Sequence, residues 1–416
     1  MMNERRHSSV STKNILVILI LGSLGQLAWL LENSWFNTFT YDCVTTNTTP
    51  IALMNALSAI TATVTTFIMG TISDRAGKRK PFIRYGYLLW GIFTAGFIVS
   101  GKIRNVFWAS FAVVVLDCVM TFFGSTAYDA CYNAWITDIS DEGNRGKVTV
   151  LGQLGLYIAT GIGIAAGAIV DRFGYPAFFI SIGVLVSVAG FITASFIEEG
   201  KSQKPSLDNN GEGFLKGILS SFSKESYQKN RELFLVLFAL FGVMVAFQIS
   251  FAYETIYANN VLHISKSVNS LLMLPVAPAA IAGAVIAGRF ADKGKGIVTL
   301  LAAPLIFSAG ALITSFARGV AVLVAGKVFL YGGMVMMTTS SMAMFKNLSP
   351  ADERGHFEGI RMVFQVLLPM VIGPSLGSFL IEHYGLGPLI YLTTAMVSLL
   401  AVVPAWILNK SEKEGV

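Results

Sequence analysis

The chain has 416 residues, is 54% hydrophobic and is only 13% charged, about half the ~25% charge of a soluble domain. Its +6 formal charge, three cysteines and four loop-proximal histidines give neither a disulfide framework nor a metal cluster. No Walker loop or convincing catalytic triad is legible, which speaks against an ATP-driven pump or an enzyme, and no cofactor is called for. Apolar runs of about 20 residues, long enough to cross ~30 Å of hydrocarbon as helices, recur throughout.

Residues 1–14 form a polar tail. Arg5 and Arg6 precede an apolar run of about 25 residues, longer than a signal-peptide core, so it is read as a retained first span. Spans follow at residues 15–40, 51–73, 82–101, 106–135, 148–170, 176–197, 233–257, 268–290, 297–316, 320–345, 357–381 and 388–408. The stretch 198–231 contains EEGKSQKPSLDNNGEG and is too polar to insert. The expected plan is an all-α membrane protein of twelve transmembrane helices in two six-helix pseudo-symmetric bundles. The bundles are residues 15–197 and 232–408, with a cytoplasmic linker at 198–231 and a second tail at 409–416.

Counting Lys and Arg by side, with the N-terminus inside, puts 24 on one side and 6 on the other, Lys327 among the six. This is the bias of the positive-inside rule, so both termini and the linker are expected to be cytoplasmic. The net positive charge therefore reads as topology rather than nucleic-acid binding. Short loops point to a bacterial cytoplasmic membrane.

The halves repeat each other. GTISDRAGKRK at residues 70–80 is too charged and too short to cross a bilayer, so it forms a turn between two spans. GRFADKGKG at residues 288–296 is a weaker copy. DEGNRGK at 141–147 is echoed by ADERGHFEG at 351–359, and Glu32 in the first span by Glu254 in the seventh, 222 residues later. Two parallel six-span halves fit a secondary transporter whose site lies near the midplane.

Acids within spans normally face a cavity or a partner. Glu32, Asp117 and Glu254 are candidates for cation coupling. Asp117, Thr121, Gly124, Tyr128 and Trp135 share one face of the fourth span, a polar and aromatic stripe suited to a sugar path. Asp129 points elsewhere, ~18 Å beyond Asp117 at 1.5 Å per residue, and is assigned to the gate. Gln26, Trp29, Asn33 and Phe36 on the first span, with Tyr128, Gln153, Gln248 and Gln365, complete the candidate substrate-binding set. Arg361 could pair with Glu358. The glycines of the fifth span are expected to pack closely against a neighbour, and Pro275, Pro278, Pro369 and Pro374 to bend their helices.

Gly70, Asp74, Arg75, Gly77, Lys78 and Arg79 satisfy the signature G-x-x-x-D-R/K-x-G-R/K-R/K after the second span, so the chain resembles the major facilitator superfamily over essentially its whole length. In the second copy Gly288, Asp292, Lys293 and Lys295 remain, but the second arginine pair does not. The resemblance implies a role for Asp74 in a cytoplasmic gate of the kind alternating access needs, and Arg75 joins it by charge-assisted contacts. Arg79, Arg145, Asp292 and Arg354 join that gate by the chemistry of charge-assisted contacts. YDACYNAWITDISDEGNRGK and ERGHFEGIRMVFQVLLPMVIGP look most like the glycoside–pentoside–hexuronide:cation symporters and sucrose carriers. The acids that melibiose-type members carry on the second span, and the arginine of their fifth, are absent here.

The leading expectation is a proton- or sodium-coupled symporter of a sugar or glycoside, a monomer whose partners are that small molecule, a cation and the bilayer. A proton-coupled exporter of amphipathic compounds is the alternative on the same fold. A non-transporting receptor or lipid scramblase is the alternative of another class.

Overall fold

The computed structural model describes residues 11–140, 144–199, 224–349 and 354–414. These residues are helical throughout, with no strand among them. The long apolar helices are α1 Thr12–Cys43, α2 Thr49–Ala76, α3 Lys80–Lys102 and α4 Val106–Asp138, then α7 Arg231–Asn260, α8 Lys266–Asp292, α9 Gly296–Ser315, α10 Val320–Leu348, α11 Phe357–Tyr384 and α12 Leu389–Ser411. Between α4 and α7 lies one continuous helical run whose apolar stretch, Val150–Ala194, is 45 residues long. At 1.5 Å per residue it would be about twice the thickness of the hydrocarbon layer. Gly174 interrupts it with φ 79° and ψ 172°, two residues before Pro176. That positive φ is one glycine adopts without a Cβ penalty, and Pro176 cannot donate its missing N–H to a continuing helix. The run is therefore two helices, α5 (residues 145–173) and α6 (residues 175–194), and the eleven apolar stretches among the described residues correspond to the twelve expected spans.

The chain divides into two compact units. Unit 1 comprises residues 1–46 and 60–211, and unit 2 comprises residues 47–59 and 212–416. In unit 1, Phe36 and Phe39 of α1 interlock with Phe97 at the end of α3 and Phe179 of α6, with ring centroids 4.3–5.6 Å apart. Tyr87 and Tyr132 are buried against α1 and give their hydroxyl protons to the carbonyls of Leu21 and Ile18, each at 2.7 Å. Buried tyrosines need such partners. In unit 2, Leu233 and Phe234 of α7 pack on Phe345 of α10 and on Phe357, Ile360 and Phe364 of α11. Tyr253 bonds the Pro374 carbonyl at 2.7 Å. Within the same unit, buried Thr48 gives both its N–H and its hydroxyl to Glu382, at 2.5 and 2.9 Å.

The expected glycine face of α5 holds in part. Gly155 and Gly163 meet α1, at Ser23 and Leu30, but Gly152 and Gly161 face open space.

Among the described residues, four π-helical segments interrupt the spans: Glu32–Phe36 in α1, Ser125–Tyr132 in α4, Leu185–Ala189 in α6 and Val363–Leu367 in α11. Such widenings leave backbone groups out of the regular ladder and are frequent at functional sites. In α11 the cause is legible: Pro369 has no N–H for the Gln365 carbonyl four residues back.

Candidate functional site

Three polar constellations lie within the units. The first is in unit 1, where the π segments of α1 and α4 carry most of the polar groups. Glu32 is buried and accepts a hydrogen bond from the Thr121 hydroxyl at 3.1 Å. Asp117, only 2% exposed, lies one turn before Thr121 on the same face of α4. Gln26 donates to the Tyr128 hydroxyl at 2.8 Å. Trp29 packs against Trp90 at 5.0 Å, and Tyr128 stacks on Tyr132 at 5.1 Å. Asp129 faces the Ser125 hydroxyl and the Trp29 indole, so it sits against this constellation. Asn33 bonds the Trp29 carbonyl of its own helix at 2.8 Å. Phe36 belongs to the aromatic core described above.

The second constellation is in unit 2. Glu254 on α7 is 9% exposed and Lys327 on α10 only 2%. Lys327 Nζ stands 2.5 Å from Glu254 Oε1 and donates to Asn269 Oδ1 on α8 at 3.0 Å. One turn further along α10, Tyr331 donates its hydroxyl to Glu254 Oε2 at 2.8 Å. Three helices thus converge on one buried ion pair, and both carboxylate oxygens are held by donors from α10. Removing one partner of such a pair strands the other charge in a low dielectric, at a cost of about 3–5 kcal/mol. Phe247 borders it with its ring 5.7 Å from Tyr331. Gln248 is buried on α7, against Gly373 of α11. Arg361 donates to Glu358 at 3.1 Å and also to Gln365, inside the π segment of α11.

The third constellation is the charged turn between α2 and α3. Arg79 pairs with Asp74, reaches Asp138 at the end of α4 at 3.2 Å, and donates to Ser73 at 2.5 Å. Burial pulls the Arg79 pKa down, but the carboxylates of Asp74 and Asp138 outweigh it and hold the guanidinium above its ordinary value. Glu199, just past α6, accepts the backbone N–H groups of Arg79 and Lys80 at 2.9 Å each. A carboxylate at a helix N-terminus meets unsatisfied donors and the positive end of the dipole. Trp135 bonds the Glu198 carbonyl at 2.9 Å, and Lys13 pairs with the Glu198 side chain at 2.8 Å. Arg75 and Asp292 are exposed. The side chains of Arg145, Gln153 and Arg354 lie outside the described residues.

The sequence names nearly all of the first constellation, but only Glu254 at the core of the second and Asp74 and Arg79 in the third. Lys327 was counted with the outer-side charges, although it lies seven residues inside an apolar span. The rule that flagged the acids within spans, applied to cations, would have found it. Asn269, Tyr331, Asp138 and Glu199 carried no local signal, because their partners lie on other helices.

Helices of this length, with their ionisable groups turned inward within each unit, define a multi-pass membrane protein of the transporter kind. The family model of the Major Facilitator Superfamily matches residues 14–328 and, again, residues 259–416, and the chain belongs to that superfamily. Its fold is shared with a bacterial homologue of the human lysosomal transporter Spinster, in an inward-facing and occupied conformation (TM-score 0.74, 11% identity, covering 97% of this chain and 98% of that one). It is also shared with a mutant form of the nucleoside transporter NupG (0.74, 12%, 95% and 99%) and with a D-xylose-proton symporter (0.68, 15%, 94% and 97%). At these identities the likeness is one of fold. No curated protein sequence matches the chain.

Proposed function

We propose that the chain is a proton-coupled symporter that takes up a sugar or glycoside by alternating access, as its resemblance to the glycoside–pentoside–hexuronide:cation symporters implies. Glu254 carries the coupling proton, and Lys327 is its counter-ion. The observation that supports this best is the buried pair itself. A carboxylate 2.5 Å from an ammonium at 2% exposure is a charge the protein keeps at considerable cost, and ionisable groups within spans mark ion pathways and proton relays. Protonating Glu254 removes its hold on Lys327 and changes the contacts that tie α7, α8 and α10 together. Glu32 and Asp117 line the path in unit 1 with Gln26 and Tyr128, whose hydroxyl- and amide-rich surface suits sugar hydroxyls.

The bundles of residues 15–197 and 232–408 rock as units, with both termini and the linker on the cytoplasmic side. Asp74, Arg79 and Asp138 act in the cytoplasmic gate, which alternating access requires to form in one state and break in another. The D-xylose-proton symporter of the same fold supports the coupling by analogy, since fold alone does not fix substrate.

The test is uptake of labelled neutral and acidic sugars into proteoliposomes under an inward proton gradient. The expected result is accumulation that a protonophore abolishes and that Glu254→Gln abolishes while leaving exchange intact. Extrusion of a lipophilic dye instead of sugar uptake would contradict it.

A further inference from the structure

We propose that Lys327 and Tyr331 form a receptor for a carboxylate on the substrate, so that the transported molecule is an organic acid, a sugar acid in terms of the preceding reading. Glu254 occupies that receptor when substrate is absent. The inference rests on the assignment of Glu254 as proton carrier and adds the substrate class.

The geometry is that of a carboxylate already bound. Glu254 Oε1 meets Lys327 Nζ at 2.5 Å, and Oε2 meets the Tyr331 hydroxyl at 2.8 Å. Both donors come from one face of α10, a single turn apart. A second carboxylate in the same place would meet the same two donors. An ammonium has three N–H donors. Two of Lys327's are directed at Glu254 and Asn269, which leaves one for an incoming oxygen before Glu254 withdraws. Buried Phe247 packs beside Tyr331, with Phe251 stacked on it at 4.7 Å, so the surroundings of the pair are apolar.

Charge balance supplies the coupling. The resting pair is neutral. A proton added to Glu254 alone leaves the ammonium as an uncompensated buried cation. An anion arriving alone sets two carboxylates against one ammonium. A proton and an anion arriving together keep the site neutral: Glu254 becomes a carboxylic acid, and the substrate carboxylate takes its place on Lys327. Either half-step leaves a stranded buried charge and is disfavoured by a factor on the order of a hundred or more, so symport is obligatory and carries no net charge. The other titratable groups facing Glu254 among the described residues are the phenols of Tyr331 and Tyr391, which carry no charge that alters this balance.

The experiment uses the full-length protein in proteoliposomes, with labelled D-glucuronate, D-gluconate and L-lactate compared with D-glucose and D-xylose. An inward proton gradient is imposed with the membrane potential clamped at several values. The expected result is that at least one acid accumulates at a rate insensitive to the potential and is not inhibited by the neutral sugars. Lys327→Gln lowers that rate about a hundredfold. Glu254→Gln/Lys327→Gln, which restores charge balance and so serves as the control for folding by thermal unfolding, is equally inactive toward the acids. Glu254→Gln exchanges the acid across the membrane but does not accumulate it.

Accumulation of a neutral sugar with no acid transported or competing would overturn the carboxylate receptor and leave the proton-coupled reading standing. Lys327-dependent exchange of an acid without any response to the proton gradient would overturn the coupling and leave the receptor standing. Acid uptake unchanged in Lys327→Gln, or no uptake of any acid by a protein that unfolds at the expected temperature, would overturn the inference.

Discussion

Both units bury a carboxylate at matching places in the sequence, Glu32 on α1 and Glu254 on α7, yet they hold it differently. Glu32 accepts the hydroxyl of Thr121, with Asp117 one turn away on the same helix as that threonine. Glu254 is clasped by an ammonium and a phenol, both from α10. The first arrangement holds its carboxylate with a neutral hydroxyl, and the function proposed above makes it a polar lining for the substrate. The second is a charged lock in which adding or removing a single proton changes the balance of the whole site. The matching acids of the two units therefore sit in different surroundings, and in the function proposed above it is the one in unit 2 that carries the coupling proton.

The sharpest way to break this contrast is Lys327→Met, which strands Glu254 and should cost about 3–5 kcal/mol of unfolding free energy, read by denaturant or thermal unfolding in detergent. The double variant Glu254→Met/Lys327→Met should recover most of that loss. If the double variant is as unstable as the single one, the pair is not a charge lock. In unit 1, Thr121→Val removes one hydrogen bond to a carboxylate and should cost less, about 1.5–3 kcal/mol. A loss as large as that of Lys327→Met would mean that the lining is as rigid as the lock.

At the charged turn, Asp138→Asn removes one of two carboxylate partners from a largely covered Arg79 (13% exposed at its side chain, against 27% for Asp138). Partial solvent screening limits the expected stability change to about 0.5–1 kcal/mol. Its transport rate should nevertheless fall several-fold in the vesicle assay if the turn is the gate proposed above, because a gate acts through the balance between states. The smallest effect is expected on α5. Gly161→Ala meets open space and should be neutral or stabilising by up to about 1 kcal/mol through helix propensity. Gly163→Ala must push aside Leu30, whose Cδ2 would lie 2.7 Å away, and should be the less stable of the two by thermal unfolding.

Much of the fold was legible because hydrocarbon imposes a single length scale. Each span from α1 to α12 was located to within a few residues by its apolar run, whereas the part Gly174 plays at the α5–α6 junction is seen only in its backbone angles. The π segments were not legible, except that Pro369 in hindsight accounts for the one at Gln365. Helix widening follows from backbone hydrogen bonds that composition does not encode. The candidate site divides the same way. Glu32, Asp117 and Glu254 stand out because a lone acid in an apolar run is costly. Tyr331 and Asn269 do not, since a tyrosine or an asparagine in a span costs little and acquires meaning only when another helix brings a charge to it. Lys327 was hidden by topology counting, which treats every cation near a span end as a loop residue.

The most direct test is the proton count of a single transport cycle. Vesicles loaded with a pH-reporting dye and given a transported substrate should show one proton entering with each substrate molecule in the native protein. Glu254→Gln should show exchange with no proton movement, while Glu32→Gln and Asp117→Asn keep the proton and change substrate affinity instead. Undiminished proton entry in Glu254→Gln, or its loss in Glu32→Gln or Asp117→Asn alone, would contradict the assignment of coupling to the lock on α7 and α10.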